Sequence, residues 1–340
     1  MKSRIVSIVA VLLMCMVHDA GAARSPEAQA LLDYLNSING KKMLSGTMAN
    51  VNWNTNEAQW VYEHTGRWPA MNCFDFIHHM SSQPGGWIDY SNTQVVENWH
   101  SAGGIVSIMW HWNVPAKENG KYAFYSKETD FDVRKIFDEN SAEYALMLKD
   151  IDQIALYLKQ LKDKHIPVIW RPLHEAGGMW FWWGRDAEAC KHLWRLMYQR
   201  FTDAGLDNLL WAFTPAAAWR QPFEEGMKWY PGDEYVDIVG YDIYNVESAQ
   251  ACHDDYYQLL CRQCPGKLVA LTECGHVAMI SSQWQAGAKW LFFMPWYDYG
   301  RTANLSSQAF LSPEHGNASV SWWQDAWAQD FVLSRDQVSY

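Results

Sequence analysis

The sequence predicts a single (β/α)8 barrel of the TIM type. Three observations lead there: eight short apolar or β-branched runs along the chain, amphipathic stretches between them, and no shift in composition that would separate domains. A length of 340 residues suits one such barrel with its loops.

In chain order, Lys2 and Arg4 precede an uncharged run from Ile5 to Val17, and Ala20-Gly21-Ala22 supplies the small residues that signal peptidase reads. Residues 1–22 are therefore expected to be a signal peptide cleaved near Ala22, giving a secreted or periplasmic protein. The apolar run is short for a bilayer span. Residues 23–340 should form the barrel domain. The candidate strands are Lys42 to Ser45, Ala70 to Phe76, Ile105 to Trp110, Pro167 to Arg171, Leu209 to Phe213, Val236 to Tyr241, Leu268 to Thr272 and Leu291 to Met294. Between the third and fourth, Leu146, Ile151, Ile154, Leu158 and Leu161 recur at helical spacing, predicting a helix over Ser141 to Lys162. Asp186 can cap a second helix reaching Phe201, and Thr55 to Glu63 and Ser321 to Phe331 read as two more. An open doubly wound sheet would need a Gly-rich phosphate turn after its first strand, whereas SGTMANVNWNTN follows Leu44.

The formal charge of −11 argues against nucleic acid, which needs a basic footprint. The 21 Trp are unusual, and many are clustered: Trp110 and Trp112; Trp180, Trp182 and Trp183; Trp322 and Trp323. Indole rings pair a large apolar face with a polar edge, which suits sugar rings, so these clusters are expected to stack on carbohydrate. Removing Cys15 with the leader leaves an even number of cysteines. Cys261 and Cys264 have zinc-ligand spacing, with Cys252, Cys274, His253 and His276 nearby. An oxidising compartment favours disulfides or buried thiols, and no metal is expected.

Reactive side chains of a parallel barrel sit where strands end and loops begin. Glu175 follows the fourth run in VIWRPLHEAGGMWFWWG, and Glu273 ends the seventh in LVALTECGH. Two carboxyls on opposite sides of one barrel mouth suit glycoside hydrolysis, where a retaining enzyme needs them roughly 5–5.5 Å apart. The apolar wall of Trp180 to Trp183 favours a protonated Glu175, and Tyr244 can donate to Glu273 and keep it ionised. Arg171 is the obvious structural ion-pair partner for either acid.

WRPLHEAGGMWFWWG, YPGDEYVDIVGYDIY and LTECGH, in that order, resemble glycoside hydrolase family 26, chiefly β-mannanases, over nearly all of the chain after the leader. The resemblance implies a retaining double displacement on β-1,4-mannosidic linkages in mannan, glucomannan or galactomannan. No cofactor is implied. It places the acid/base on Glu175 and the nucleophile on Glu273, with substrate-facing roles for His174, Trp180 and Trp296 and a hydrogen bond to the nucleophile from Tyr244. Trp110 and His111 occupy a position where the family commonly contacts sugar. Asp242, like Arg171, is expected to orient its neighbours, and Asp75, His78 and His79 to shape more distant subsites. A monomer is expected. The alternatives are a β-1,3-xylanase or mixed-linkage β-glucanase of the same fold and, from another class, a non-catalytic carbohydrate-binding protein, which typically lacks one of the two acids. The chain has neither a His-Glu-x-x-His helix motif nor a Gly-x-Ser-x-Gly elbow.

Overall fold

The computed structural model describes residues 24–50, 53–82, 84–216 and 223–340. The expected leader and Cys15 lie outside them. Eight parallel strands follow the chain: β1 (Met43–Met48), β2 (Met71–Asp75), β3 (Ile105–Met109), β4 (Val168–Arg171), β5 (Leu209–Phe213), β6 (Ile238–Tyr244), β7 (Leu268–Gly275) and β8 (Phe292–Pro295). Each pairs with the next, and β8 returns to β1 through Leu44↔Phe292 and Ser45↔Phe293, closing the barrel. The candidate strands fall on all eight. However, β1, β6 and β7 each run about three residues further than their apolar runs, and in β6 and β7 the added residues include Asp242, Tyr244 and Glu273.

Side chains alternate along every strand. Met71, Cys73, Ile105, Met109, Ile169, Leu210, Ala212, Ile238, Leu268 and Ala270 fill the barrel interior. Phe74, Val106, Ile108, Val168, Trp170, Trp211, Val239 and Leu271 face outward against the helices. Chief among these helices are α1 (Pro26–Ile38), α2 (Asn56–Thr65), α3 (Gln94–Ser101), α4 (Ala142–Lys162) and α5 (Ala187–Asp203). Ser141 Oγ accepts from Tyr144 N at 3.1 Å and Asp186 Oδ1 from Ala189 N at 2.9 Å, satisfying orphan donors at the starts of α4 and α5. The last expected helix stops early, as α6 (Val320–Trp327). Beyond it Phe331 O accepts from Met43 N at 2.7 Å, and Val332–Leu333 add a short strand to β1.

Most clustered Trp turn out to be structural, correcting the expectation that they stack on sugar. Trp110, Trp112, Trp182, Trp183 and Trp323 are fully buried, and Trp322 nearly so. Internal acceptors meet several of their indole N–H groups: Asp150 Oδ2 for Trp112 at 2.9 Å, Trp112 O for Trp182 at 2.6 Å, and His174 O for Trp183 at 2.9 Å. These rings brace the loops that carry the site. All six cysteines among the described residues are free thiols, five of them buried, so of the readings offered above the buried thiol is the one observed. No helix among the described residues is long and apolar enough to cross a membrane.

Candidate active site

Glu273 reaches the barrel mouth because β7 is bulged. Tyr241 of β6 pairs with Leu271, but the next residue, Asp242, pairs with Glu273. On the other side Phe293 pairs with Leu271 and Pro295 with Cys274, so β7 carries one extra residue against both neighbours. Strict alternation would send Leu271 outward, Thr272 inward and Glu273 outward. The bulge flips that last step and re-aims the carboxylate inward. Gly240 makes it possible, since a Cβ there would lie 2.2 Å from Thr272 Cγ2.

The other acid sits in a strained turn. Leu173, Glu175 and Met179 all have left-handed backbone, at φ 48°, 54° and 57°. Glu175 N donates to Thr214 O at 2.9 Å and Gly177 N to Pro215 O at 2.8 Å, so the loop after β5 holds the turn. At Gly178 a Cβ would stand 2.0 Å from the Trp180 ring, so only glycine lets that indole fold back over the turn. There Trp180 Nε1 donates to Glu175 Oε2 at 2.9 Å.

Alternation also points Arg171 of β4 and Asp242 of β6 into the mouth. Arg171 Nη2 binds Glu273 Oε1 while its Nη1 lies 3.2 Å from Asp242 Oδ2 and 3.2 Å from Thr214 Oγ1. Thr272 Oγ1 donates to Asp242 Oδ1 at 2.7 Å, and Tyr244 Oη donates to Glu273 Oε2 at 2.7 Å. Both oxygens of Glu273 are thus held, one by a cation and one by a hydroxyl. Glu175, Asp242 and Glu273, all buried, each place a carboxylate oxygen within 4.8 Å of the others. Three carboxylates this close have metal-ligand spacing, but the Arg171 guanidinium already binds two of them and supplies the opposing charge.

Burial and crowding set Glu175 and Glu273 apart. Desolvation, followed by Asp242 and Glu273, pushes Glu175 well above the usual carboxylate range against the pull of Arg171. Desolvation and Asp242 also raise Glu273, to about 7, but there Arg171, His111 and the Tyr244 hydroxyl all pull the other way. The proton the pair shares therefore rests on Glu175.

A histidine pair forms one wall. Asp75 Oδ1 accepts from His111 N at 3.0 Å and its Oδ2 meets His111 Nδ1 at 2.6 Å, so that ring nitrogen carries a proton. His111 Nε2 faces His174 Nε2 at 3.2 Å, leaving room for one proton between them. Burial, His111 and Arg171 push His174 well below its ordinary value, favouring the neutral ring.

These groups line a cleft of about 820 Å³. His111, His174, Glu175, Trp180, Tyr244, Glu273 and Trp296 all face it, with Arg171 and Asp242 directly beneath. Trp110 does not. Its ring stacks on Trp112 at 3.9 Å inside the core, which corrects the expectation of sugar contact. His79 likewise faces inward, 3.4 Å from Asp150. Composition and motif reading missed Tyr125, Ser126, Lys127, Met179, Phe181 and Asn245, which also line the cleft. Tyr125, Ser126 and Lys127 follow a hairpin (Val114–Pro115 with Tyr122–Ala123) inserted after β3. Tyr125 pairs with Phe181, Ser126 N donates to Trp180 O at 2.7 Å, and Trp182 N donates to Phe124 O at 3.0 Å, tying the two loops edge to edge. The aromatic run YAFY in that insertion was the one available signal.

Residues 21–313 match the family model for glycosyl hydrolase family 26. A mannan endo-1,4-β-mannosidase of Thermothelomyces thermophilus is 34% identical over 323 residues, 92% of this chain and 61% of that protein. The chain spans about half the length of the next two relatives, mannan endo-1,4-β-mannosidases B and A of Piromyces. Among solved structures, the family 26 domain of an endo-β-mannanase/endo-β-glucanase from Prevotella bryantii superposes with a TM-score of 0.83 at 33% identity, covering 95% of this chain and 98% of that one. A β-mannanase from a symbiotic protist of the termite Reticulitermes speratus, bound to a gluco-manno-oligosaccharide, gives 0.76 at 31% identity over 93% and 96%. With most of its length matched and a shared barrel, the chain belongs to glycosyl hydrolase family 26.

Proposed function

We propose that the chain hydrolyses internal β-1,4-mannosidic bonds of mannan-type polysaccharides with retention of anomeric configuration. The observation that carries this reading is the approach of the Glu175 and Glu273 carboxylates to within 4.8 Å. A retaining pair stands at roughly 5–5.5 Å, whereas an inverting pair needs roughly 6.5–9.5 Å to admit a water. The relatives' names supply the substrate and the internal mode of attack.

In the first step Glu273 Oε attacks the anomeric carbon while Glu175 gives its proton to the departing glycosidic oxygen. A glycosyl ester forms and the C1–O bond breaks. In the second, Glu175, now ionised, takes a proton from water, whose oxygen attacks C1 and releases Glu273. Arg171 and Tyr244 hold the nucleophile's two oxygens in place throughout. The test is to incubate the protein with mannan, xylan and mixed-linkage β-glucan, size the products over time, and follow the first anomer by proton NMR. A ladder of manno-oligosaccharides appearing first as the β-anomer is expected. Cleavage of xylan or β-glucan but not mannan, or first release of the α-anomer, overturns the proposal.

Tyr244→Phe provides a narrower check. The lost hydroxyl lowers the affinity of Glu273 for its proton, so its removal raises that affinity. A hydrogen bond to a charged group is worth ~1.5–3 kcal/mol. The acid limb of kcat/KM should therefore move to higher pH by about 1–2 pH units, with the basic limb, set by Glu175, little changed. An unmoved acid limb would show that the hydroxyl does not govern Glu273.

A further inference from the structure

We infer that Glu57 and His315 are positioning residues for mannan cleavage: a buried pair outside the cleft that fixes the loop after β8 and so sets the Trp296 indole in the cleft wall. This rests on the mannan-cleaving reading above and extends it to side chains that line no part of the cleft.

The segment from Trp296 to Ser319 carries a single short helix, Tyr299–Thr302, so little regular structure holds it. Its first residue faces the cleft. Trp296 N donates to Cys274 O at 2.8 Å, Asn317 Nδ2 donates to Tyr297 O at 3.2 Å, and Asp298 N donates to Glu57 Oε2 at 3.3 Å. The last two of these anchors lead to the pair.

Glu57 is an acid on the buried face of α2, 2% exposed, beside Ala58, Trp60 and Val61. A carboxylate taken out of water needs bonded partners, and the first turn of a helix favours its charge. His315 Nε2 bonds its Oε1. The other ring nitrogen, Nδ1, accepts from Asn317 N and from Ala318 N, each at 3.1 Å. A nitrogen that accepts carries no proton, so the ring's proton sits on Nε2 and points at Glu57. Glu57 thus selects the tautomer, and the tautomer closes the turn over residues 315–318. Trp60 packs on the ring, centroids 4.8 Å apart, and donates from Nε1 to Ser312 O at 3.3 Å.

That turn connects the pair to the site. It aims Asn317 Nδ2 at Tyr297 O on one side, and on the other Asn317 O accepts from His276 N at 3.0 Å. At Gly275, just past Glu273 on β7, a Cβ would stand 2.3 Å from Asn317 Oδ1, so the turn lies directly against the end of that strand. The pair therefore acts on the reaction through the placement of Trp296.

The experiment is a double-mutant cycle on manno-oligosaccharides, reading kcat and KM for Glu57→Ala, Trp296→Ala and the two combined. Glu57→Ala alone should lose roughly tenfold in kcat/KM, as a displaced substrate contact does, and in the Trp296→Ala background it should cost no more than about twofold. Glu57→Gln, whose amide oxygen still accepts from Nε2, should recover most of the loss. His315→Asn keeps an oxygen for the two backbone N–H groups but cannot reach Glu57. It should lose activity as Glu57→Ala does, and it takes that variant's place in the cycle if Glu57→Ala does not fold. An isotope-labelled histidine NMR spectrum should show one ring protonated at Nε2 that disappears in His315→Asn. Additive losses in the cycle, full activity in His315→Asn, or a His315 ring protonated at Nδ1 overturns the positioning role while leaving the mannanase reading intact. Failure of the unaltered protein to cut any manno-oligosaccharide overturns both.

Discussion

Glu273→Gln is expected to lower mannan hydrolysis by at least ~10⁴-fold while manno-oligosaccharides still bind, as measured by steady-state assay and calorimetric titration. The reason is local. An amide oxygen can still accept from Arg171, and the amide nitrogen can donate to Tyr244 if its hydroxyl turns, so the shape of the cleft persists. What disappears is the lone pair that bonds C1. The substitution also leaves Arg171, fully buried, with Asp242 as its one ion-pair carboxylate among the described residues. A fall in Tm is therefore expected alongside the loss of activity, since a buried charge stripped of one partner costs a few kcal/mol. A folded variant with near-normal turnover would remove Glu273 from the reaction.

Glu175→Ala should act differently on different leaving groups. An acid catalyst is worth ~10²–10⁴-fold, and that benefit is needed in full only when the departing oxygen is a poor leaving group. Mannan cleavage should fall by that amount. Pre-steady-state glycosylation by an aryl mannoside with an acidic phenol should fall far less, and the basic limb of its pH profile should vanish because Glu175 is the group that sets it. The change also removes the carboxylate that accepts from the Trp180 indole N–H. A circular-dichroism check of folding and Glu175→Gln as a companion separate chemistry from stability. Equal losses on both substrates would mean that Glu175 is not the acid.

The whole arrangement answers one electrostatic problem. Carboxyls packed into a mouth buried from water repel each other, and they stay there because Arg171 binds two of them directly. Its guanidinium is held by alternation on β4 and by Thr214, so it fixes the Glu273 carboxylate in one orientation. Among the described residues no cation lies at bonding distance from Glu175, and burial beside Asp242 and Glu273 pushes it toward its protonated form.

The strands, α4 with its Ser141 cap, α5 with its Asp186 cap, and the positions of Glu175 and Glu273 at strand ends were all legible in the sequence. They depend on short-range regularities: residue spacing, capping chemistry and runs of β-branched side chains. Roles for the Trp clusters were not legible, because an indole bracing a loop and one facing a sugar have the same composition. Only packing distinguishes Trp182, whose N–H is spent on Trp112 O, from Trp180, whose N–H reaches Glu175. Nor did spacing reveal that Asp75 grips His111, or that the insertion after β3 ties itself to Phe181.

The orientation of Glu273 shows the division most sharply. The chain by itself determined that an acid follows a β-branched run at the right place in the order. Period-two alternation along that run would have turned the acid outward, toward the helices. The extra residue in β7, accommodated by Gly240 on β6, turned it inward. A bulge is a mismatch between two strands, so it exists only once those strands pair, and one strand's sequence cannot declare it.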